Sequence, residues 1–82
     1  MKETLLKLLN SYVKPKNPKI KRFEVYILTD KFEKIMCVVQ IKSYHDLYKE
    51  ERVNIDRDIA RIITALNLPE GSDYLISYSK LT

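Results

Sequence analysis

Phe23-Glu24-Val25-Tyr26-Ile27-Leu28 and Ile35-Met36-Cys37-Val38-Val39-Gln40-Ile41-Lys42 are the two segments on which the fold turns. In the first, Phe23, Val25 and Ile27 alternate with Glu24, Tyr26 and Leu28. In the second, Ile35, Cys37, Val39 and Ile41 alternate with Met36, Val38, Gln40 and Lys42. A period of two puts one set on each face of a strand. The short Asp30-Lys31-Phe32-Glu33 segment between them predicts a hairpin over 21–43. Matching the apolar faces predicts Ile27 opposite Ile35, Val25 opposite Cys37 and Phe23 opposite Val39. Tyr26 then faces Met36, and Glu24 faces Val38, on the reverse side. A slip of one residue would turn one strand's apolar set away from the other's, which argues for a firm register.

Before the hairpin, Leu5, Leu6, Leu8, Leu9, Tyr12 and Val13 recur as one stripe of a helix over 3–14. Pro15 is predicted to stop it, because the residue before a proline is pushed out of the α region. After the hairpin, residues 43–53 read two ways. Ser43-Tyr44-His45-Asp46 has capping-box spacing, and Leu47–Val53 also suits a short edge strand. Asn54 is a good N-cap for a helix over 54–67 with Ile55, Ile59, Ile62, Ile63 and Leu66 as its stripe, ended by Leu68-Pro69-Glu70-Gly71. Tyr74, Ile76 and Tyr78 alternate in a last strand over 73–79.

The order α-β-β-α-β predicts a single α+β domain over 1–82. Its simplest form is a three-stranded sheet with two helices packed on one face, a two-layer sandwich; a helix on each face is the alternative. In topology alone this resembles a ferredoxin-like fold without its first strand. A chain of 82 residues buries about 60–65% of its unfolded surface, enough for one modest core.

Composition narrows the chemistry. Gly71 is the only glycine, so Walker loops, Rossmann turns, GXXG clamps and oxyanion nests lack their usual residue. Cys37 is the only cysteine and lies in an apolar run, which predicts an inert buried thiol. With His45 as the one histidine, no structural zinc site is expected, and no cofactor. No apolar run approaches the ~20 residues of a membrane span. Lys7 and Asn10 interrupt any signal-peptide core, so a cytoplasmic protein is expected (host cytoplasm if viral). Few glycines with nine Ile, eleven Lys and six Tyr suit a thermophilic source, such as an archaeal virus.

Charge gives the partner clue. Residues 1–22 hold seven Lys/Arg against Glu3 alone, whereas residues 23–82 hold eight against ten acids. Lys14-Pro15-Lys16-Asn17-Pro18-Lys19-Ile20-Lys21-Arg22 carries five cations and no acid. Its prolines, three apart, predict polyproline II over the linker 15–20, with Lys16, Lys19 and Arg22 along one edge at ~9 Å intervals. Such a row can follow a phosphate backbone without reading sequence. The plainer reading is a solvated linker. Lys14, Lys16, Lys19, Lys21 and Arg22, with Lys42, are the candidate phosphate contacts. Tyr26 shares the strand face of Arg22 and Lys42, where a base can stack. Tyr26, Leu28, Met36 and Val38 form an apolar face that helices on the other side would leave open, a candidate homodimer or protein-partner interface. Arg57, Arg61, Thr64 and Asn67 share the outer side of the second helix, where Asp56 and Asp58 would repel phosphate.

Catalytic leads are two. Asp30 with Gln40-Ile41-Lys42 superficially resembles the acid and (E/Q)-x-K pattern of restriction-endonuclease-like folds, whose carboxylates hold Mg²⁺. His45-Asp46 has an imidazole beside a carboxylate but no evident nucleophile. Double-stranded RNA-binding domains share the helix-then-hairpin opening, yet Asn54-Ile55-Asp56-Arg57 lacks their lysine cluster. The expectation is a non-enzymatic DNA- or RNA-binding protein acting as a homodimer, with a protein-interaction or adaptor module as the alternative.

Overall fold

Leu5, Leu9 and Val13 are wholly buried and stand four residues apart along the first helical segment. The computed structural model describes residues 1–81, and in it α1 (Lys2–Leu8) runs on into a π-helical turn (Leu9–Val13) and a 3-10 turn (Lys14–Lys16). The expected stop at Pro15 therefore does not occur. Lys14 stays helical at φ −57°, ψ −44°, and its N–H donates to Leu9 O, one residue further back than in an α-helix. A proline ring strikes the carbonyl four residues before it, here Ser11, and a π turn widens that space. The widened turn also shifts the helical phase, so Tyr12 leaves the predicted stripe and is exposed. Asn17 closes the segment, its Nδ2 donating to Val13 O at 2.7 Å. Ile20 N–H then donates to Asn17 O at 3.0 Å across a tight turn. The linker is helix and turn, and the polyproline row of Lys16, Lys19 and Arg22 is not formed.

β1 (Ile20–Thr29) and β2 (Ile35–Ser43) pair antiparallel. The faces are those the alternation predicts, but the register differs by two residues: Ile27 faces Cys37, Val25 faces Val39 and Phe23 faces Ile41. On the reverse side Leu28 faces Met36, Tyr26 faces Val38 and Glu24 faces Gln40. A shift of two preserves every face, so hydrophobic matching cannot detect it. The loop decides instead. Asp30 Oδ1 accepts from Phe32 N–H (2.8 Å) and Lys34 N–H (3.0 Å), and Glu33 takes φ 63°, which closes the strands right up to Thr29 and Ile35.

α2 spans Lys49–Ala65, starting five residues before the predicted Asn54 cap. Its start is fixed by Glu51, whose Oε1 accepts from Tyr48 N–H at 2.9 Å, a reach-back contact within the first turn. Asn54 lies inside the helix, and 47–53 contains no strand. Ser43 ends β2 and is buried, so it does not open a capping box. Ile55, Ile59 and Ile63 are the buried stripe. Beyond the helix, Asn67 (φ 51°) and Gly71 (φ 85°) take left-handed conformations in the turn to β3 (Asp73–Lys80).

β3 lies beside β2 and parallel to it, giving the order β1-β2-β3. The chain is thus α+β, a three-stranded mixed sheet with two helices. No strand lies between β2 and β3, unlike the split unit of ferredoxin-like folds. One core joins Leu5, Leu9 and Val13, the α2 isoleucines, and Phe23, Val25, Cys37, Val39 and Ile41 of the sheet. Each large side chain so buried contributes ~1.5–3 kcal/mol as an upper bound. Cys37 sits in this core, and burial pushes its thiol pKa up. Among the described residues no helix is long and apolar enough to cross a membrane.

Candidate nucleic-acid interface

The register brings four chain segments to one end of the sheet. Ile20 pairs with Ser43, and Ser43 with Lys80, so the start of β1 and the ends of β2 and β3 lie together. Lys19 ties the first turn of α2 to them through Glu51. Lys19, Lys21, Arg22, Lys42, Lys49, Arg52 and Lys80 all fall in this region, with Glu24, Asp46, Glu50 and Glu51 as its acids. The opposite end holds Asp30, Glu33, Glu70 and Asp73 with Lys31 and Lys34. The two ends of the sheet therefore differ in charge, and topology adds Lys42, Lys49, Arg52 and Lys80 to Lys19, Lys21 and Arg22 of the basic segment.

The six candidate cations divide into two sets. Lys16 Nζ is 3.0 Å from Asp58 Oδ2, Lys19 Nζ is 2.9 Å from Glu51 Oε1, and Arg22 Nε is 2.9 Å from Glu24 Oε2. These are the same three residues that the polyproline reading aligned; each is instead engaged with a carboxylate of the chain itself. Among the described residues Lys14, Lys21 and Lys42 make no ion pair. Lys42 sits directly across the sheet from Arg22 and beside Ser79, forming one row over three strands. Lys21 is the extra residue of a β-bulge between Ile20 and Arg22, a distortion that re-aims a side chain at a sheet edge.

Glu24 bridges Arg22 and Tyr26, accepting at Oε1 from Tyr26 Oη at 3.1 Å. The Arg22 guanidinium, then the Tyr26 hydroxyl, hold its carboxyl below the usual range, and Glu24 in turn raises the Tyr26 phenol. Tyr26 is thus occupied by Glu24 at its polar end. Two other tyrosines, which the sequence reading passed over, stand with the cations. Tyr48 is 71% exposed with Lys19 Nζ 4.1 Å from its ring centroid, and Tyr44 is 51% exposed with Lys21 Nζ at 5.9 Å. Tyr44 N–H donates to Lys19 O at 2.8 Å, which pins this loop to the basic segment. The available signal was two aromatics four apart in a stretch with neither helical nor strand periodicity.

The second candidate surface is the sheet face away from the core. Tyr26 and Val38 are direct partners there, as are Leu28 and Met36. Leu75, 57% exposed, pairs with Val38 from the other side and extends the patch to all three strands. It was missed because the position of β3 could not be read from the sequence.

The catalytic leads are not assembled. Asp30 and Lys42 stand at opposite ends of the hairpin, roughly 25 Å apart at ~3.3 Å per residue. Asp30 is committed to the turn, and among the described residues no group of His, Cys, Asp and Glu is placed to hold a metal. Asp46 pairs with Lys80 at 3.7 Å. On α2, Arg57 and Arg61 are exposed, Arg61 lies 3.9 Å from Asp58, and Thr64 donates to Ala60 O at 2.8 Å. Comparison with protein-family models, curated proteins and solved structures finds no match.

Proposed function

We propose that this chain is a non-enzymatic nucleic-acid-binding protein that contacts phosphate through Lys14, Lys21 and Lys42 and stacks bases on Tyr44 and Tyr48. The observation that carries the reading is the pairing of two exposed tyrosines with lysines at the basic end of the sheet. Aromatic faces beside cations suit single strands, whose bases are available to stack. Lys16, Lys19 and Arg22 join only by exchanging a carboxylate for a phosphate. Three cations released from no prior ion pair give a log K against log salt slope near −2 per protomer on single strands (~0.7 each). Replacing Tyr44 and Tyr48 with Ala is expected to weaken single-strand binding by ~1–3 kcal/mol per base stacked and leave the salt slope unchanged. Glu24→Gln frees Arg22 and is expected to steepen it. Absence of binding to any oligonucleotide at low salt overturns the proposal.

The protein acts as a homodimer in this reading. Both helices cover one face as a two-layer sandwich, and Tyr26, Leu28, Met36, Val38 and Leu75 form the interface on the other. The alternative is an adaptor that uses the same patch for a protein partner; the extension of the patch onto Leu75 favours an interface of either kind.

A further inference from the structure

We propose that the cleft at the carboxyl ends of β2 and β3 binds a phosphate group, held by the Arg52 guanidinium, the Lys80 ammonium and the hydroxyl of Ser43, which faces the same side of the sheet as Lys80. The cleft encloses about 330 Å³ and is also lined by Asp46 and Tyr78. That is far more than one water's share of ~30 Å³. The cleft lies where β2 and β3 end and α2 begins, so side chains from all three elements reach it.

Ser43 is the second, independent observation. It is only 3% exposed, yet among the described residues its hydroxyl makes no hydrogen bond to a protein group. No side-chain oxygen or nitrogen there is both sealed and unpaired, so this hydroxyl opens on the cleft it lines. Arg52 is likewise in no ion pair among the described residues. A planar guanidinium, an ammonium and a hydroxyl lining one cleft match a tetrahedral oxyanion with several acceptor oxygens. Tyr78 is engaged elsewhere, donating to Asp56 with Arg52 O at 3.1 Å. Asp46 opposes the ligand, but it is 82% exposed and meets Lys80 only at 3.7 Å, so it can turn to solvent.

The site does not depend on the nucleic-acid reading, because inorganic phosphate is a sufficient probe. Calorimetric titration of the full chain at low salt is expected to saturate. Arg52→Gln should weaken binding roughly ten-fold and Ser43→Ala roughly five-fold. Asp46→Asn should tighten it roughly three-fold. Thermal unfolding of Ser43→Ala should match wild type, since no protein partner of the hydroxyl is lost. A titration that does not saturate, or equal affinities for wild type, Arg52→Gln and Ser43→Ala, overturns the proposal. The source of the phosphate follows from oligonucleotides carrying a 5′-phosphate or a 5′-hydroxyl. A preference for the 5′-phosphate that vanishes in Arg52→Gln assigns the cleft to a strand end. Equal binding of the two, with inorganic phosphate still retained, assigns it to a small phosphate ester. Phosphate binding without any oligonucleotide binding leaves this site standing and removes only the nucleic-acid reading.

Discussion

Lys19 meets Glu51 at 2.9 Å and the Tyr48 ring at 4.1 Å, and both contacts join the basic segment to the first turn of α2. Glu51 accepts from Lys19 and from Tyr48 N–H, and these two, in that order, hold its carboxyl below the usual glutamate range. A folded pKa depressed in this way contributes stability that is present above the ordinary carboxylate pKa. It is lost as pH falls through the lower folded value. Glu24, depressed by Arg22 and Tyr26, acts with the same sign. Urea unfolding midpoints are therefore expected to fall between pH 7 and pH 3, and Glu51→Gln should remove part of that fall. Parallel pH profiles for wild type and Glu51→Gln would show that the contact makes no difference to folding.

At the level of elements, periodicity was legible and irregularity was not. The alternation over Phe23–Leu28 and Ile35–Lys42 reads directly as β1 and β2, and Ile55, Ile59 and Ile63 read as α2. The two-residue register error arose because faces repeat every second residue, while the turn that fixes register depends on one carboxylate. Asn54, as a good N-cap, points to a later start of α2, whereas Glu51 begins the helix through a contact back to Tyr48 N–H that its residue type alone does not announce. Pro15 reads as a helix stop, and the π turn that accommodates it leaves no sequence signature. The candidate site is legible as charge alone, whereas the partners of its cations and the two exposed tyrosines beside them depend on contacts distant in sequence. Since Asp30 Oδ1 accepts two backbone N–H groups, Asp30→Ala should cost about 1–3 kcal/mol at ~0.5–1.5 per hydrogen bond, measured by urea unfolding. A loss within error would mean that strand pairing alone holds the register.

For the whole molecule, β1 and β2 alone cannot generate the basic end; the parallel placement of β3 and the return of α2 bring in Lys80 and Arg52. The same placement of β3 completes the exposed patch with Leu75. If that patch joins two copies, Tyr26→Lys combined with Val38→Lys should halve the mass seen by light scattering. An unchanged dimer would exclude this face as the interface. The central claim is that the basic end binds single-stranded nucleic acid by phosphate contact and stacking. It is tested most directly by titrating wild type and the Lys21→Ala, Lys42→Ala double variant with a single-stranded oligonucleotide over a range of salt. The account predicts binding that weakens with salt at a slope near −2 per protomer, with most of that slope lost in the variant (~0.7 per cation removed). No binding at the lowest salt, or equal slopes for the two proteins, would contradict it.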